Sequence, residues 1–269
     1  MNMNEHHIGF VGFGHLAQVI FSALDRAKVI SRARTLFIRR DRAKMQENEE
    51  KFGITATSLS NLVDKSDLIF LCMRPQQAED ALYELKNAGS LKGKLIVSFL
   101  AGKKNSFYEN HLGKNLEIVR AMPNIASSVS QGMTILSYGP HVKPEGKSTM
   151  NLFFSALGAV SEMSEEMMDI ATAMAGSGVG FVFRLIDSMA KMGQKAGMPY
   201  EQSLKIAAQT FAGAAALILK GEMPADLITK ITTPNGVTQA GFEVMAKHEM
   251  EKHFQSVIEA SARRSRELS

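Results

Sequence analysis

The first half of the chain alternates short apolar runs with stretches whose apolar positions recur at helical spacing. His7–Val11, Thr35–Ile38, Leu68–Cys72, Leu95–Phe99 and Ile118–Ala121 are apolar runs of strand length, and Met133–Ser137 reads as a further strand. Between the first two, Leu16, Val19, Ile20, Ala23 and Leu24 follow an i, i+3, i+4, i+7, i+8 order that only a helix gathers on one face. Continuous apolar strands separated by helices predict a mostly parallel sheet covered on both sides. The sheet region is expected to close around residue 160.

From about Ser164 the pattern changes. Strand-like runs stop, methionine and alanine become dense, and Val182, Leu185, Ile186, Met189, Met192 and Ala196 form a second helical stripe. Gly197 is placed to end that helix and Pro199 to start the next, where a missing N–H costs nothing. That next helix should reach Leu219 and stop at Gly221, and two more should flank the turn-forming Thr233-Pro234-Asn235-Gly236. The fold class expected is therefore α/β: a Rossmann-type, mostly parallel sheet domain over residues 1–163, then an all-α domain over 164–269.

Composition narrows this little. Hydrophobic residues are 45% and charged residues 22% of the 269, as in an ordinary soluble protein with a real core. No apolar run approaches a membrane span, and the N-terminus lacks the basic start and apolar stretch of a signal peptide. A single cysteine, Cys72, in an apolar strand reads as a buried inert thiol and fits a reducing cytoplasm. The net charge of +4 is mild, and no groove-reading motif accompanies it, so nucleic acid is not the expected partner. The histidines show no ligand spacing, so no metal is expected.

The candidate chemistry begins at Gly12-Phe13-Gly14-His15-Leu16-Ala17, a G-x-G-x-x-A loop directly after a strand and opening a striped helix. The first glycine permits a tight turn and the second lets a pyrophosphate approach the backbone. Ala17 allows close helix–strand packing, and the helix N-terminus supplies N–H groups and a positive dipole. The second strand ends Ile38-Arg39-Arg40, where an NAD site would carry an acid for the ribose hydroxyl. A guanidinium can bind a 2′-phosphate through two parallel hydrogen bonds, so NADP is favoured over NAD, the alternative being a solvated basic loop.

Further motifs run in order along the whole chain. They are Asp67–Gln76 with Met73-Arg74-Pro75, Leu95–Ser98 with Ala101-Gly102, Val119–Asn124, Gly132-Met133-Thr134, Ala175–Gly178 with Phe181-Val182-Phe183, Ile231–Thr238, and the close at Ile258–Leu268. Together these resemble the pyrroline-5-carboxylate reductases. Ile231–Thr238 is similar to that family's signature turn, Ser-Pro-Gly-Gly-Thr-Thr, with Asn235 for a glycine and Val237 for a threonine or alanine. His15, Arg74 and Val179-Gly180 also depart from the family's pattern.

The resemblance implies reduction of the cyclic imine 1-pyrroline-5-carboxylate to proline by hydride from NADPH. Backbone N–H groups around Asn235–Thr238 would hold the substrate carboxylate, with Thr233, Asn235, Gly236 and Val237 shaping the turn. The Thr238 hydroxyl would serve the imine nitrogen; on the residues alone it could equally be a helix N-cap. Gly12, Phe13, Gly14, His15, Leu16, Arg39, Arg40, Met73, Arg74 and Pro75 would surround the cofactor, with Met122 and Asn124 beside the nicotinamide. Ser177 either orients the substrate or packs the helix start. The Met-rich helices suggest a dimer or a ring of dimers. Two alternatives stay open, a reductase of a different cyclic imino acid and a catalytically silent NADP-binding relative acting through protein partners. A β-hydroxyacid dehydrogenase would need a lysine where Val182 stands.

Overall fold

The structure is a computed structural model that describes residues 5–268. It divides into two compact units, one running to Ser177 and taking the chain up again from Ser261, the other spanning Gly178–Ala260.

Among the described residues the first unit has eight strands: β1 (Ile8–Val11), β2 (Thr35–Ile38), β3 (Thr55–Ala56), β4 (Leu68–Leu71), β5 (Leu95–Ser98), β6 (Glu117–Met122), β7 (Gly132–Tyr138) and β8 (Gly158–Glu162). Their order is β3-β2-β1-β4-β5-β6-β7-β8. All neighbours are parallel except β6 and β7. Helices α1 (His15–Arg26), α2 (Arg42–Phe52), α3 (Leu59–Lys65), α4 (Ala78–Ala88), α5 (Asn105–Leu112) and α6 (Pro144–Ser155) lie between strands in the chain.

The strand side chains alternate between two cores, as the period of two requires. Phe10, Phe70, Val97 and Val119 belong to one core with Phe21 and Phe153. Ile69, Leu71, Ile96 and Ile118 belong to the other with Leu62, Leu82 and Tyr108. Strands buried on both faces must be continuously apolar, which is why the runs are so plain in the sequence.

Two strands escape the hydrophobic pattern. Thr55–Ala56 is only two residues long, and β8 is partly exposed along its length at the edge of the sheet. An edge strand has one neighbour and little reason to be apolar. The sheet accordingly reaches Glu162, just beyond the expected close near 160.

The compact unit also continues past Ser164, where the sequence texture changes. Helix α7 (Met168–Ala171) and a π-helical turn, Thr172–Ser177, follow β8, and Met168 and Ala171 are buried against Ile135 of β7. Ser265 donates to Asp169 Oδ1 over 2.6 Å, which draws the chain end into the same unit.

The second unit is helical: α8 (Gly178–Lys195), α9 (Tyr200–Leu219), α10 (Pro224–Ile231), α11 (Val237–Lys247) and α12 (Met250–Glu267), whose last residues belong to the first unit. Gly197 and Gly221, with φ of 98° and 94°, follow α8 and α9 in the conformation expected of terminating glycines. The α8 stripe is not buried within the chain. Val182, Leu185, Met189 and Met192 are exposed, with Phe183, Ile206 and Ile218. The continuous helical run Glu165–Lys195 has a window of mean hydropathy 1.3, and so is long and apolar enough to cross a membrane by length and composition. It also carries Asp187 and Lys191, paired at 2.7 Å.

Candidate functional site

The sheet order reverses direction at β1 and β4, and the crevice beyond their carboxyl ends is where such sheets hold ligands. Gly12 closes the turn after β1 with φ of 89°. A side chain there would be strained and would also bring its Cβ to 3.0 Å from the Cys72–Met73 peptide after β4. Gly14 is the N-cap of α1 and has ordinary angles; a Cβ on it would meet nothing within 4 Å. The missing side chain leaves open space against the start of α1. No side chain caps that helix start and no acid stands in its first turn, so its N–H groups and dipole are available to an anion. These features fit a dinucleotide pyrophosphate.

A cleft of about 310 Å³ runs along this edge, lined by Gly12, Phe13, Gly14, Arg39, Arg40, Met73 and Arg74 among others. The Phe13 ring is not part of its chemistry: it is 1% exposed and packs among Phe10, Phe21 and Phe37, leaving only the Phe13 backbone to the loop. Leu16 packs against the same core. His15 is exposed and borders a shallow groove with Gln18, Arg26 and Ser128 rather than the cleft. Pro75 opens a short 3₁₀ turn with Arg74 as its N-cap.

Three side chains converge on the Phe13 carbonyl. Arg39 Nη1 donates over 3.1 Å, Gln18 Nε2 over 3.3 Å and Asn48 Nδ2 over 3.4 Å. Asn48 also accepts from Gln18, and is 4% exposed on α2, whose other residues are exposed or half-buried. Asn48 and Gln18 are neighbours of the loop that the sequence did not single out; an isolated Asn in a charged helix gives no periodic signal. The two arginines differ. Arg39 is partly buried and tied to the phosphate loop, whereas Arg40 is exposed and leans toward Asp80 and Glu84 of α4 at 3.9 and 3.6 Å. Beside them a second groove is lined by Arg42, Thr57 and Ser58.

Farther along the sheet, Met122 and Asn124 follow β6. Asn124 Nδ2 donates to the Ala175 carbonyl over 3.0 Å while its Oδ1 accepts from Ala126 N–H over 3.1 Å, so both ends of the amide are engaged. A Cβ on Gly176 would sit 3.6 Å from Met122 Sδ. Ser177 accepts from the Ser261 hydroxyl over 3.1 Å. Beneath this region Arg120, 3% exposed, pairs with Glu165 at 3.0 Å, and the same carboxylate oxygen accepts from Asn105 N–H over 2.7 Å. Tyr108 bonds Ser98 over 2.5 Å, and burial pushes its phenol up to about 12. The Cys72 thiol, expected to be buried, is only half-buried and borders the cleft, but desolvation by its apolar neighbours still holds it well above its ordinary value. Among the described residues no group of three or more His, Cys, Asp or Glu is arranged to hold a metal ion.

The turn Thr233–Thr238 lies wholly in the second unit. Gly236 N–H donates to the Thr233 carbonyl over 2.9 Å across Pro234-Asn235, and Asn235 has φ of 56°. Asn tolerates the left-handed region better than most residues, so it can stand at this place. Gly236 is required for a different reason. Its φ is ordinary, but a Cβ would collide with Thr233 Oγ1 and come 2.8 Å from the Thr233 carbonyl oxygen. Gly236 is also the N-cap of α11, which places Thr238 inside the first turn and rules out the N-cap role for its hydroxyl.

One expectation changes here. The Asn235 and Gly236 N–H groups are engaged within the turn, Asn235 by Gln239 Oε1 at 2.8 Å, so only amides from Val237 onward can face an anion. No side chain caps this helix start. Val237 is almost fully exposed and Thr238 partly buried.

Comparison with known proteins agrees with these parts. Residues 165–268 match the pyrroline-5-carboxylate reductase dimerisation family, and residues 7–102 match the family described as NADP oxidoreductase coenzyme F420-dependent. Pyrroline-5-carboxylate reductase 1 of Bacillus subtilis is 32% identical over 99% of this chain and 90% of its own length. The pyrroline-5-carboxylate reductase of Arabidopsis thaliana is 31% identical over 97% and 95%. Among solved structures, Plasmodium falciparum pyrroline carboxylate reductase with NADP bound superposes with a TM-score of 0.91 at 25% identity, covering 99% of both chains.

Proposed function

Since the chain belongs to the pyrroline-5-carboxylate reductase family, we propose that it reduces 1-pyrroline-5-carboxylate to proline with NADPH, a step of proline biosynthesis. The observation that carries this reading is the uncapped start of α11, which puts free helix amides and the Thr238 hydroxyl together behind a tight turn. A small ring that bears a carboxylate and an imine nitrogen needs those two things: donors for an anion and a hydroxyl for the nitrogen.

The cofactor, when bound, supplies hydride to the imine carbon. The residues of the chain supply the rest. Val237 and Thr238 amides hold the substrate carboxylate, while Thr233, Asn235 and Gly236 shape the turn that exposes them. The Thr238 hydroxyl donates to the ring nitrogen and relays its proton. Gly12, Gly14 and the first amides of α1, at His15 and Leu16, hold the pyrophosphate. Arg39, with Arg40 beside it, takes the 2′-phosphate and sets the preference for NADPH over NADH. Met73 and Arg74 wall the cleft, with Pro75 opening the turn that follows them, and Met122 borders the nicotinamide. Asn124 and Ser177, whose polar atoms are engaged, act by holding that wall. Fixing two reactants in attack geometry can lower a barrier by ~7–11 kcal/mol, so positioning is the larger part of the catalysis.

The residues before Ser164 form the cofactor-binding domain in this reading, and those after it serve the substrate and subunit association. The exposed apolar face of α8 and α9 suits a partner subunit better than lipid, since Asp187, Lys191 and Arg184 lie along the same helix. In this reading the chain works as a dimer or a ring of dimers in the cytoplasm.

The test is NADPH oxidation with 1-pyrroline-5-carboxylate beside its six-membered analogue. Turnover of the five-membered ring at clearly higher kcat/KM supports the proposal. Preference for the larger ring would assign a different cyclic imino acid, and binding of NADPH without turnover of either would leave a silent relative.

A further inference from the structure

Gln239 stands one helical turn beyond the Thr233–Gly236 turn, and its side chain has both ends engaged. Its Oε1 accepts from Asn235 N–H over 2.8 Å and its Nε2 donates to Glu243 Oε1 over 2.9 Å. Asn235 is the left-handed residue of the turn, with φ of 56°, and left-handed backbone at a non-glycine residue persists only where its surroundings hold it. The carboxylate of Glu243 accepts only, so it takes the NH₂ end of Gln239 and leaves the carbonyl end for Asn235. The relay Asn235–Gln239–Glu243 therefore fixes the turn from within its own helix.

From this relay we infer that Gln239 is a positioning and specificity residue of the substrate site: it fixes the left-handed turn and confines the substrate carboxylate to amides from Val237 onward. The inference rests on the reading of this turn as the substrate site. Two consequences follow. The Asn235 N–H is withheld from the substrate, which sets the depth at which the anion sits. The group that withholds it is neutral, so a hydrogen-bond acceptor stands next to the anion site without repelling the anion. A glutamate at 239 could still accept from Asn235 N–H, but it would add a negative charge beside the substrate carboxylate and oppose Glu243.

The experiment compares Gln239→Glu and Gln239→Ala with the parent protein, using 1-pyrroline-5-carboxylate and 1-pyrroline, the same ring without the carboxylate. Thr238→Ala serves as the control for the site itself. Gln239→Glu is expected to raise KM for the carboxylate substrate roughly tenfold or more, the scale of one added charge near an anion. The loss in kcat/KM for 1-pyrroline should be clearly smaller and KM for NADPH should stay within about twofold, a split that mere loosening of the turn would not produce. Gln239→Ala should raise the substrate KM by a smaller factor, because the turn loses its internal acceptor while no charge is added. Equal effects of Gln239→Glu on both rings, or none on either, overturn the inference. If Thr238→Ala impairs turnover while the Gln239 variants leave the substrate KM unchanged, only this inference fails. If Thr238→Ala and both Gln239 variants behave as the parent protein, the turn is not the substrate site and both readings fall.

Discussion

Arg39 donates from Nη1 to the Phe13 carbonyl over 3.1 Å, so the residue directly after β2 is fastened to the loop that follows β1. A guanidinium has five donors, and this bond uses one while holding the group at the edge of the cleft. Arg40 has no such anchor: its carboxylate neighbours on α4 are distant and exposed, a geometry that contributes little.

The two arginines should therefore separate on mutation. Arg39→Ala is expected to raise the NADPH KM about ten- to hundredfold, the loss of a charge-assisted hydrogen bond of ~1.5–3 kcal/mol. The NADH KM should change far less, and Arg40→Ala should have the smaller effect on NADPH. Steady-state kinetics with both cofactors decides it; equal losses for NADH and NADPH would remove the 2′-phosphate from Arg39.

Asn48 bonds the Phe13 carbonyl of the loop and does not line the cleft itself. Asn48→Ala removes one of the three donors to the Phe13 carbonyl and the partner of Gln18. It should weaken NADH and NADPH alike, by about three- to tenfold for bonds of ~0.5–1.5 kcal/mol. Calorimetric titration of the two cofactors would show parallel losses, and an NADPH-selective loss would contradict the role.

How much of this was legible beforehand differs from element to element. The strands β1, β2, β4 and β5 could be read almost to the residue because both of their faces are buried. Strand β8 could not, because it is a partly exposed edge strand. The phosphate loop and the Arg39-Arg40 pair were visible as local motifs. The convergence of Gln18, Arg39 and Asn48 was not, since it joins positions up to 35 apart through one carbonyl oxygen. The left-handed angle of Asn235 followed from residue type, but its acceptor Gln239 needed the helix to bring it one turn back. Arg120 stood inside a recognisable motif, yet its pairing with Glu165 crosses from β6 to the segment after β8.

That ion pair should matter for stability. Arg120 is 3% exposed, so Arg120→Met leaves Glu165 and the Asn105 amide to rearrange around a missing cation. Removing one partner of a buried pair costs ~3–5 kcal/mol; the partly exposed Glu165 places this case at the low end. Urea unfolding at fixed protein concentration should show the loss, and Arg120→Met with Glu165→Leu should recover part of it. A midpoint unchanged in Arg120→Met would mean the pair contributes nothing.

Tyr108 gives a pH signature. Its phenol lies at about 12 in the folded chain against 10 ordinarily, burial being the main cause. A raised pKa means that folding favours the protonated form. The contribution is fully present below pH 10 and is lost as pH rises toward 12, on the order of 3 kcal/mol for a shift of this size. Tyr108→Phe should reduce the decline of unfolding free energy between those pH values relative to the parent chain. An identical decline in both would assign the alkaline loss to other groups, Tyr138 first among them, since it too lies at about 12.

The most direct test of the account follows the hydride itself. With NADPH carrying deuterium at the transferring position of the nicotinamide and 1-pyrroline-5-carboxylate as substrate, the protein should form proline with one deuterium on the δ-carbon. Thr238→Ala should slow that transfer about ten- to hundredfold while binding NADPH as the parent does. Unlabelled proline, or no proline from a protein that binds NADPH, would contradict it.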